Sequence, residues 1–548
     1  MRGMSKAEQE LIHELYATGS YLDLLQKTEK RMVEIFRSLG SSGSLITLTF
    51  LLPFAQDRSI PLMQAARQAI REIIERQGSK GLIGLDQYMR RLIPYDATDR
   101  LGNWHQLTPE EVAAIDVRDR SDVSYLGVCS FHRNGYVREK AVEKLAQEQS
   151  GLEIAFLLIR LNDWLPKIRY IAYRALKQRL LPHYAKHFLE AINLVKHLST
   201  HYTREKFADF VQEIYSLFKL PHNRSVLMDG LRARDPIVRR FCFDFMMTLS
   251  GVDHEAVWSE VMQQPDAWLR LTACKHICSS VSDPALLVWL NRIKQDVFPP
   301  IRQLALQTFV DRFPDQAQLP LKYALLDRHK NIRELARFYL KAEGIHYPTF
   351  YRGKLAVADP AVLPGAIAGL GETGEKADAP LILPFLSHES PRINRAAVKA
   401  LAKLDPESSL DALLQVLLSD KKSVSKEARL ALAELVDLRI APMLLEWYTH
   451  ERRPHVQKNI LFLFSKLGRA DSIMYLLRAC TVPDEEINSM AQRYIEAWVA
   501  GYSKRFYVQI RAERREELTG LLEEAKAYIP EKTAGELRFL LQRTAAAD

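Results

Sequence analysis

Glycine is scarce in this chain, 23 in 548 residues, and cysteine is scarcer, at five. So little glycine leaves few of the left-handed turns that tight β-hairpins need, so helix is the expectation. Five cysteines, odd in number and scattered, give no disulfide framework; a reducing cytoplasm fits. Long apolar runs are also missing. The most apolar stretch, Leu45 to Ala55, is too short to cross a bilayer and is broken by Pro53. The start, "MRGMSKAEQE", lacks the apolar core of a signal peptide. There is no phosphate-binding glycine loop, no nucleophile elbow and no zinc-finger spacing. The expectation is a cytoplasmic protein with no membrane association, no cofactor, no metal and no catalytic residue.

What is present is a folded composition, 47% hydrophobic, with a net charge of +9 and a pI near 9.1. Over this length the basic excess is mild, but it permits an acidic partner. The length exceeds what one core needs, so the chain is either several domains or an elongated array.

A repeat decides between them. "RDPIVRRFCFDFM" places Arg239 in front of an apolar run, and "PDAWLRLTACKHI", "FPPIRQLALQTF" and "HKNIRELARFYL" lay Arg270, Arg302 and Arg333 over it, at steps of 31, 32 and 31. Upstream, Arg138 and Arg169 are 31 apart, and Arg204 lies 35 from both Arg169 and Arg239. Downstream the arginine is lost, but the frame continues through Pro364, Asn394, Ser425, Gln457 and Asn488. With the framed residue as position zero, +3 is mostly small (Ala141, Ala305, Ala397) and +7 mostly large (Leu145, Phe309, Leu401). Spacings of three and four put them on one helical face. A second amphipathic helix precedes each framed one, as in "HEAVWSEVMQQ" and "LDALLQVLLS". Each unit is thus a hairpin of an A and a B helix, which buries its apolar face only by stacking on neighbours. The expected fold is all-α, an α-solenoid (superhelix) of stacked helical hairpins with roughly 12–14 repeats.

The ends depart from the pattern. Residues 1–38 read as N-terminal helices, and "GSSGS" (Gly40 to Ser44) as a flexible break. Residues 39–116 read as a divergent repeat with an irregular excursion over Leu92 to Leu107, closed by the helix start "TPEEVAAI". The array proper is 117–497. Residues 498–548 read as a helical cap that includes one long charged helix.

The stretch Ala366 to Leu404, with "GLGETG", an apolar A helix and a small-residue B helix, resembles the HEAT-repeat family, and within it the short bacterial HEAT-like type of phycobilisome lyase subunits. The resemblance covers roughly residues 120 to 497 and implies a scaffold on which many unrelated tasks are built. It also implies that B helices line the concave face, so positions +1, +2, +5 and +9 are the candidate contacts. In the first half these are mixed: Glu139, Glu143, Glu205, Asp209 and Asp244 with Arg174, Arg240 and Lys275. In the second half they turn basic: Arg395, Lys399, Lys403 and Lys426, then Lys458, Lys466 and Arg493. A basic stripe suits phosphate or an acidic protein surface. The framed arginines, Arg138, Arg169, Arg204, Arg239, Arg270, Arg302 and Arg333, read instead as a structural ladder. Their expected partners are the turn acids Asp235, Asp266, Asp296 and Asp327.

Other candidates read as structural. Cys274 and Cys278, with His276 between them, lack two further ligands and read as buried. The pairs His388-Glu389 and His450-Glu451 resemble those of di-iron HEAT-like hydroxylases but fall in turns or at helix ends. Trp164, Trp268 and Asp163 resemble the groove of alkylpurine DNA glycosylases, with Trp268 read as packing. The expected function is a non-enzymatic scaffold that holds a protein partner along its concave face. The alternatives are a nucleic-acid-binding, glycosylase-like protein using the basic groove, and a lyase or cofactor-attachment subunit.

Overall fold

A computed structural model describes residues 4–17, 25–91, 102–200, 207–357, 359–480, 484–502 and 512–543. Every secondary-structure element among them is helical. None of their helices is long and apolar enough to cross a membrane. The chain divides into two compact units, residues 1–277 and 278–548. Both are built of stacked helical hairpins, as the 31-residue frame requires. All the described +3 and +7 residues are buried, from Ala141 and Leu145 to Ala491 and Ile495. A regularity absent from the sequence reading is visible in the B helices. Proline sits three residues before the framed position at Pro166, Pro236, Pro299, Pro391 and Pro454, opening each helix where its missing N–H costs nothing.

Unit 1 opens with α1 (Lys6–Ala17), α2 (Leu25–Ser42) and α3 (Ile60–Arg91). The helix α2 runs through Gly40 to Ser42, where the sequence reading placed a flexible break. A Cβ at Gly40 would crowd the Ala69 backbone and the Glu72 side chain, so the glycine there lets α2 lie against α3. Within α3, Gly78 takes φ 65°, and the rod bends at that residue. The excursion expected at Leu92 to Leu107 falls outside the described residues over 92–101. Beyond it Thr108 and Glu111 form a reciprocal capping box around Pro109. The repeats follow as α4 (Arg120–Cys129), α5 (Gly135–Gln147), α6 (Glu153–Arg160) and α7 (Pro166–Gln178), and further on α8 (Pro236–Met246).

Unit 2 contains α9 (Pro299–Arg312), α10 (Pro314–Ala324) and α11 (Lys330–Tyr339), then α12 (Leu363–Thr373), α13 (Pro391–Leu404), α14 (Lys422–Leu432) and α15 (Pro454–Phe464). It ends with α16 (Glu485–Tyr502), α17 (Ala512–Ala525) and α18 (Glu531–Arg543). Residues 503–511 of the expected long charged helix are outside the described part. Leu518, Leu522 and Leu537 join the same apolar core as Leu463 and Ile495, so the C-terminal helices seal the last repeat.

Candidate functional site

The framed arginines share one geometry. Their Nη1 donates to turn carbonyls five and six residues back. Arg138 reaches His132 and Arg133, Arg239 reaches Ala233 and Arg234, and Arg302 reaches Asp296 and Val297. Arg169 does the same to Asp163 and Trp164, Arg270 to Gln264 and Arg333 to Asp327. Those carbonyls lie in the turn after the preceding A helix, so each arginine ties that turn to its own B helix. The rest of the guanidinium reaches forward. Arg138 grips Asp163 through two bonds of 3.0 Å, and Arg302 grips Asp327 through two of 2.7 Å. Arg239 meets Asp266 at 3.2 Å. Arg333 instead takes Glu372, a residue of α12 and not of a turn. Asp235 accepts from Asn193 and from the Ile237 N–H, and the Asp296 side chain caps the Phe298 N–H. Arg204 and Glu205 lie outside the described residues. Arg240 stands beside Arg239 and meets the same Asp266 at 3.3 Å, about half of its side chain remaining exposed.

Downstream the framed residue is neutral and reaches further back. Asn394 donates to the Phe385 and Leu386 carbonyls, Ser425 to Leu417 and Gln457 to Tyr448. Here the cation comes from the next turn. Lys421 donates to the His388 and Glu389 carbonyls and to Asn394 Oδ1, and Arg453 donates to the Leu418 carbonyl.

Arg395, Lys399, Lys403, Lys426 and Arg493 are exposed on their B helices, Lys466 is exposed in the turn just after α15, and Lys458 is half-buried. Lys399 pairs with Glu427 at 3.3 Å, Lys458 with Glu486 at 2.5 Å, and Lys466 lies over the Phe462 ring. Arg395, Lys403 and Lys426 have no ion-pair partner among the described residues. Arg395, Lys399 and Lys403 come together in a cleft of about 610 Å³ within unit 2. Its opposite wall brings Arg328, Lys330 and Arg333, and Arg392 closes one end. The floor is Pro364, Ala368, Ala396 and Ala400.

The trough exists because α12 is thin. A Cβ at Gly365 would overlap the Leu326 carbonyl, one at Gly369 the Tyr351 ring and one at Gly371 the Ala400 side chain. Three neighbours therefore close in on α12, and its open side carries Pro364 and Ala368 before Glu372. The one carboxylate in the lining is Glu372. Burial would raise its pKa, but the guanidinium groups of Arg333 and Arg337 outweigh that and hold it below the usual range. It is thus committed to the fold, and the arginines and lysines are the only other charged side chains in the lining.

Arg328, Lys330 and Arg392 were missed in the sequence because they lie in turns and at helix starts, not at +1, +2, +5 or +9. The signal was there in "DRHK" and "SPR", two basic turn segments two repeats apart.

The other candidates resolve one by one. Asp163 is fully buried and accepts from Arg138, Arg160 and Arg90. Burial alone would raise its pKa, but those arginines bring it down to about 2. Closed to solvent and saturated with donors, it cannot serve as a base toward a nucleobase. Trp268, read as packing, is 61% exposed, and Trp164 is 70% exposed. Both sit at turns into B helices, where the chain ahead of the first buried position still points outward. Cys274 is buried with its Sγ 3.6 Å from Met262 Sδ, Cys278 is half-buried, and His276 packs edge-on to Phe243. His388 Nδ1 accepts from the Ser390 N–H. Arg453 and two backbone N–H groups hold Glu451 down at about 2. Among the described residues no three His, Cys, Asp or Glu side chains converge as a metal site would need.

A family model described as HEAT repeats matches residues 354–433, the stretch that forms the cleft floor and its basic wall. No curated protein matches the chain. Among solved structures, a "Kap95:Nup1 complex" is similar at 11% identity and a TM-score of 0.40, over 96% of this chain and 81% of that one. Importin beta in an ammonium sulfate condition follows at 12% and 0.34, over 98% and 76%. Kap121p stands at 13% and 0.27, over 95% and 64%. With such low TM-scores the fold is read from the chain's own helices.

Proposed function

We propose that the chain is a non-enzymatic HEAT-like scaffold that holds a protein partner by the B-helix side of unit 2, the partner presenting acidic groups. One observation carries this reading. Seven arginines and lysines line the 610 Å³ cleft; Arg333 is held by Glu372, Lys330 and Lys399 face Glu334 and Glu427, and Arg328, Arg392, Arg395 and Lys403 have no acidic partner among the described residues. Cations so gathered raise the local potential, steer an acidic surface and reject a basic one. The five thiols are unpaired, which suits a reducing cytoplasm. The likeness to lyase-type repeats rests on the sequence of Ala366 to Leu404, and no observation favours a lyase role.

The test is in-cell cross-linking from a photoreactive residue placed at Lys403, with wild-type flanks and with Arg395→Glu/Lys399→Glu. A discrete protein adduct that the charge reversal abolishes is the expected result. An adduct indifferent to the reversal, or one with nucleic acid in place of protein, would remove the proposal.

A further inference from the structure

The cleft does not end at Arg392. A second hollow of about 350 Å³ shares Arg328, Pro364 and Arg392 with it, and a third of about 330 Å³ shares Lys294, Arg302 and Asp327 with the second. The three form one trough within unit 2, and its chemistry changes along its length. At the far end the walls are Leu306, Pro320, Tyr323 and Ile332, and Tyr323 is 69% exposed. In the middle, Asp296 and Asp327 stand among Lys294, Arg302 and Arg328, so positive and negative charge are mixed. At the near end Arg395, Lys399 and Lys403 carry no opposing acid except Glu427 on Lys399.

From this gradient we infer that the trough binds one extended segment of a protein partner, with an apolar or aromatic side chain at one end and a run of carboxylates at the other. This rests on the protein-partner reading above and deepens it. Phosphates spaced evenly along a nucleic-acid strand would find Arg302 midway already engaged by Asp327 and would gain nothing at the apolar end. A peptide can place charge at one end only, which is what the lining asks for. Neighbouring helices stand about 10 Å apart and an extended chain advances about 3.3 Å per residue, so the anchor and the carboxylates lie about six residues apart. Tyr323 contributes an exposed ring to the anchor site, with Leu306 and Ile332 as its buried backing.

The test uses fluorescein-labelled 12-residue synthetic peptides and fluorescence anisotropy at low salt. One carries a phenylalanine and, six residues on, four glutamates; a second has the order reversed. Two controls replace the phenylalanine by serine or the glutamates by glutamines, and a 12-nucleotide oligothymidylate is run beside them. The full-length chain is compared with Tyr323→Asp and with Arg395→Glu/Lys399→Glu/Lys403→Glu, whose circular dichroism should match wild type because these side chains are exposed. One of the two Phe–Glu peptides should bind about tenfold more tightly than its serine control. Tyr323→Asp should erase that advantage and leave the serine control unchanged. The triple reversal should abolish binding of all acidic peptides. Equal binding of the phenylalanine and serine peptides would overturn the trough while leaving an acidic partner in place. Failure of every acidic peptide, or tighter binding of the oligothymidylate, would overturn both.

Discussion

In the repeats framed by Arg138, Arg239 and Arg302, a guanidinium on the B helix caps its own turn and reaches forward to a carboxylate in the next one. In those framed by Asn394 and Ser425, a neutral side chain does the capping, and a cation in the next turn reaches back to carbonyls. The two arrangements stitch repeat to repeat equally, but their charge differs. The first closes on itself, because each buried or half-buried cation meets a carboxylate that is itself largely out of solvent. The second is mixed: Arg453 pairs with Asp420 and Glu451, whereas Lys421 is bonded to carbonyls and one amide, with its charge uncancelled. The changeover falls at α12, where position zero is Pro364, which has no donor to offer, and Arg333 turns to Glu372. The basic cleft lies at that junction, so the surface charge of this region follows from how its turns are tied.

The largest expected effect is in the charge-closed repeats. Asp163→Asn leaves Arg138 and Arg160 buried without their shared carboxylate, a loss of about 3–5 kcal/mol. Because repeats couple mainly to neighbours, hydrogen exchange should rise in α5 to α7 and leave unit 2 unchanged. A cost below about 1 kcal/mol, the scale of one neutral hydrogen bond, would mean that the closed charge network is not what distinguishes these repeats.

The next effect is one of pH. His132 occupies the turn position that Asp163 and Asp327 hold in later repeats, and its carbonyl accepts from Arg138. Its Nε2–H donates to the Trp104 carbonyl, while Nδ1 accepts from the Asn134 N–H. The Nδ1 bond demands the neutral ring; the bond to Trp104 would survive protonation, but burial outweighs it and pushes the pKa down to about 4. A folded value below the unfolded one of about 6.5 means that the unfolded chain takes the proton first. The stability is complete above about pH 6.5 and is lost as pH falls toward 4, with about 2 kcal/mol gone by pH 5. Urea midpoints between pH 7.5 and 5 should fall for the wild type and stay flatter for His132→Gln. Asp163, whose folded pKa is depressed to about 2, contributes its stability above its unfolded value and loses it only below this window.

These two cases also mark how far the sequence was legible. The frame could be read because +3 and +7 recur at helical spacing, and those residues are the core. The closed network around Asp163 could be read only in part. Arg138 is framed, but Arg90 comes from α3 and Arg160 from α6, both off the frame. The basic row was visible as charges at fixed offsets. The cleft was not, since it depends on three glycines of α12 letting neighbours approach and on Arg328 and Arg392 arriving from turns. Offsets along one helix report which face a residue shares, whereas a trough is made by what three helices omit.

A smaller effect sharpens the same contrast. Arg302 makes two bonds to Asp327 and two to turn carbonyls from one planar group. Arg302→Lys keeps the charge but cannot reach both sets at once, so about 1.5 kcal/mol should be lost, with exchange rising at the Ala324–Asp327 turn. A lysine that stabilised as well as arginine would place the energy in the charge and not in the fork.

The smallest effect belongs to the neutral side of the comparison. Gln457 is buried and gives one bond of 3.2 Å to the Tyr448 carbonyl. Gln457→Met keeps the volume, removes that donor and strands a single carbonyl, at a cost of about 1 kcal/mol. No charge is exposed by the change, so the loss should be the same at pH 7.5 and pH 5 and insensitive to salt. Exchange should rise only in the last turn of the preceding A helix and the first turn of α15. Were Gln457→Met to cost as much as Asp163→Asn, the cap itself would carry the energy in every repeat. The exchange of arginine for a neutral residue would then alter the surface charge of unit 2 without altering how its repeats are held.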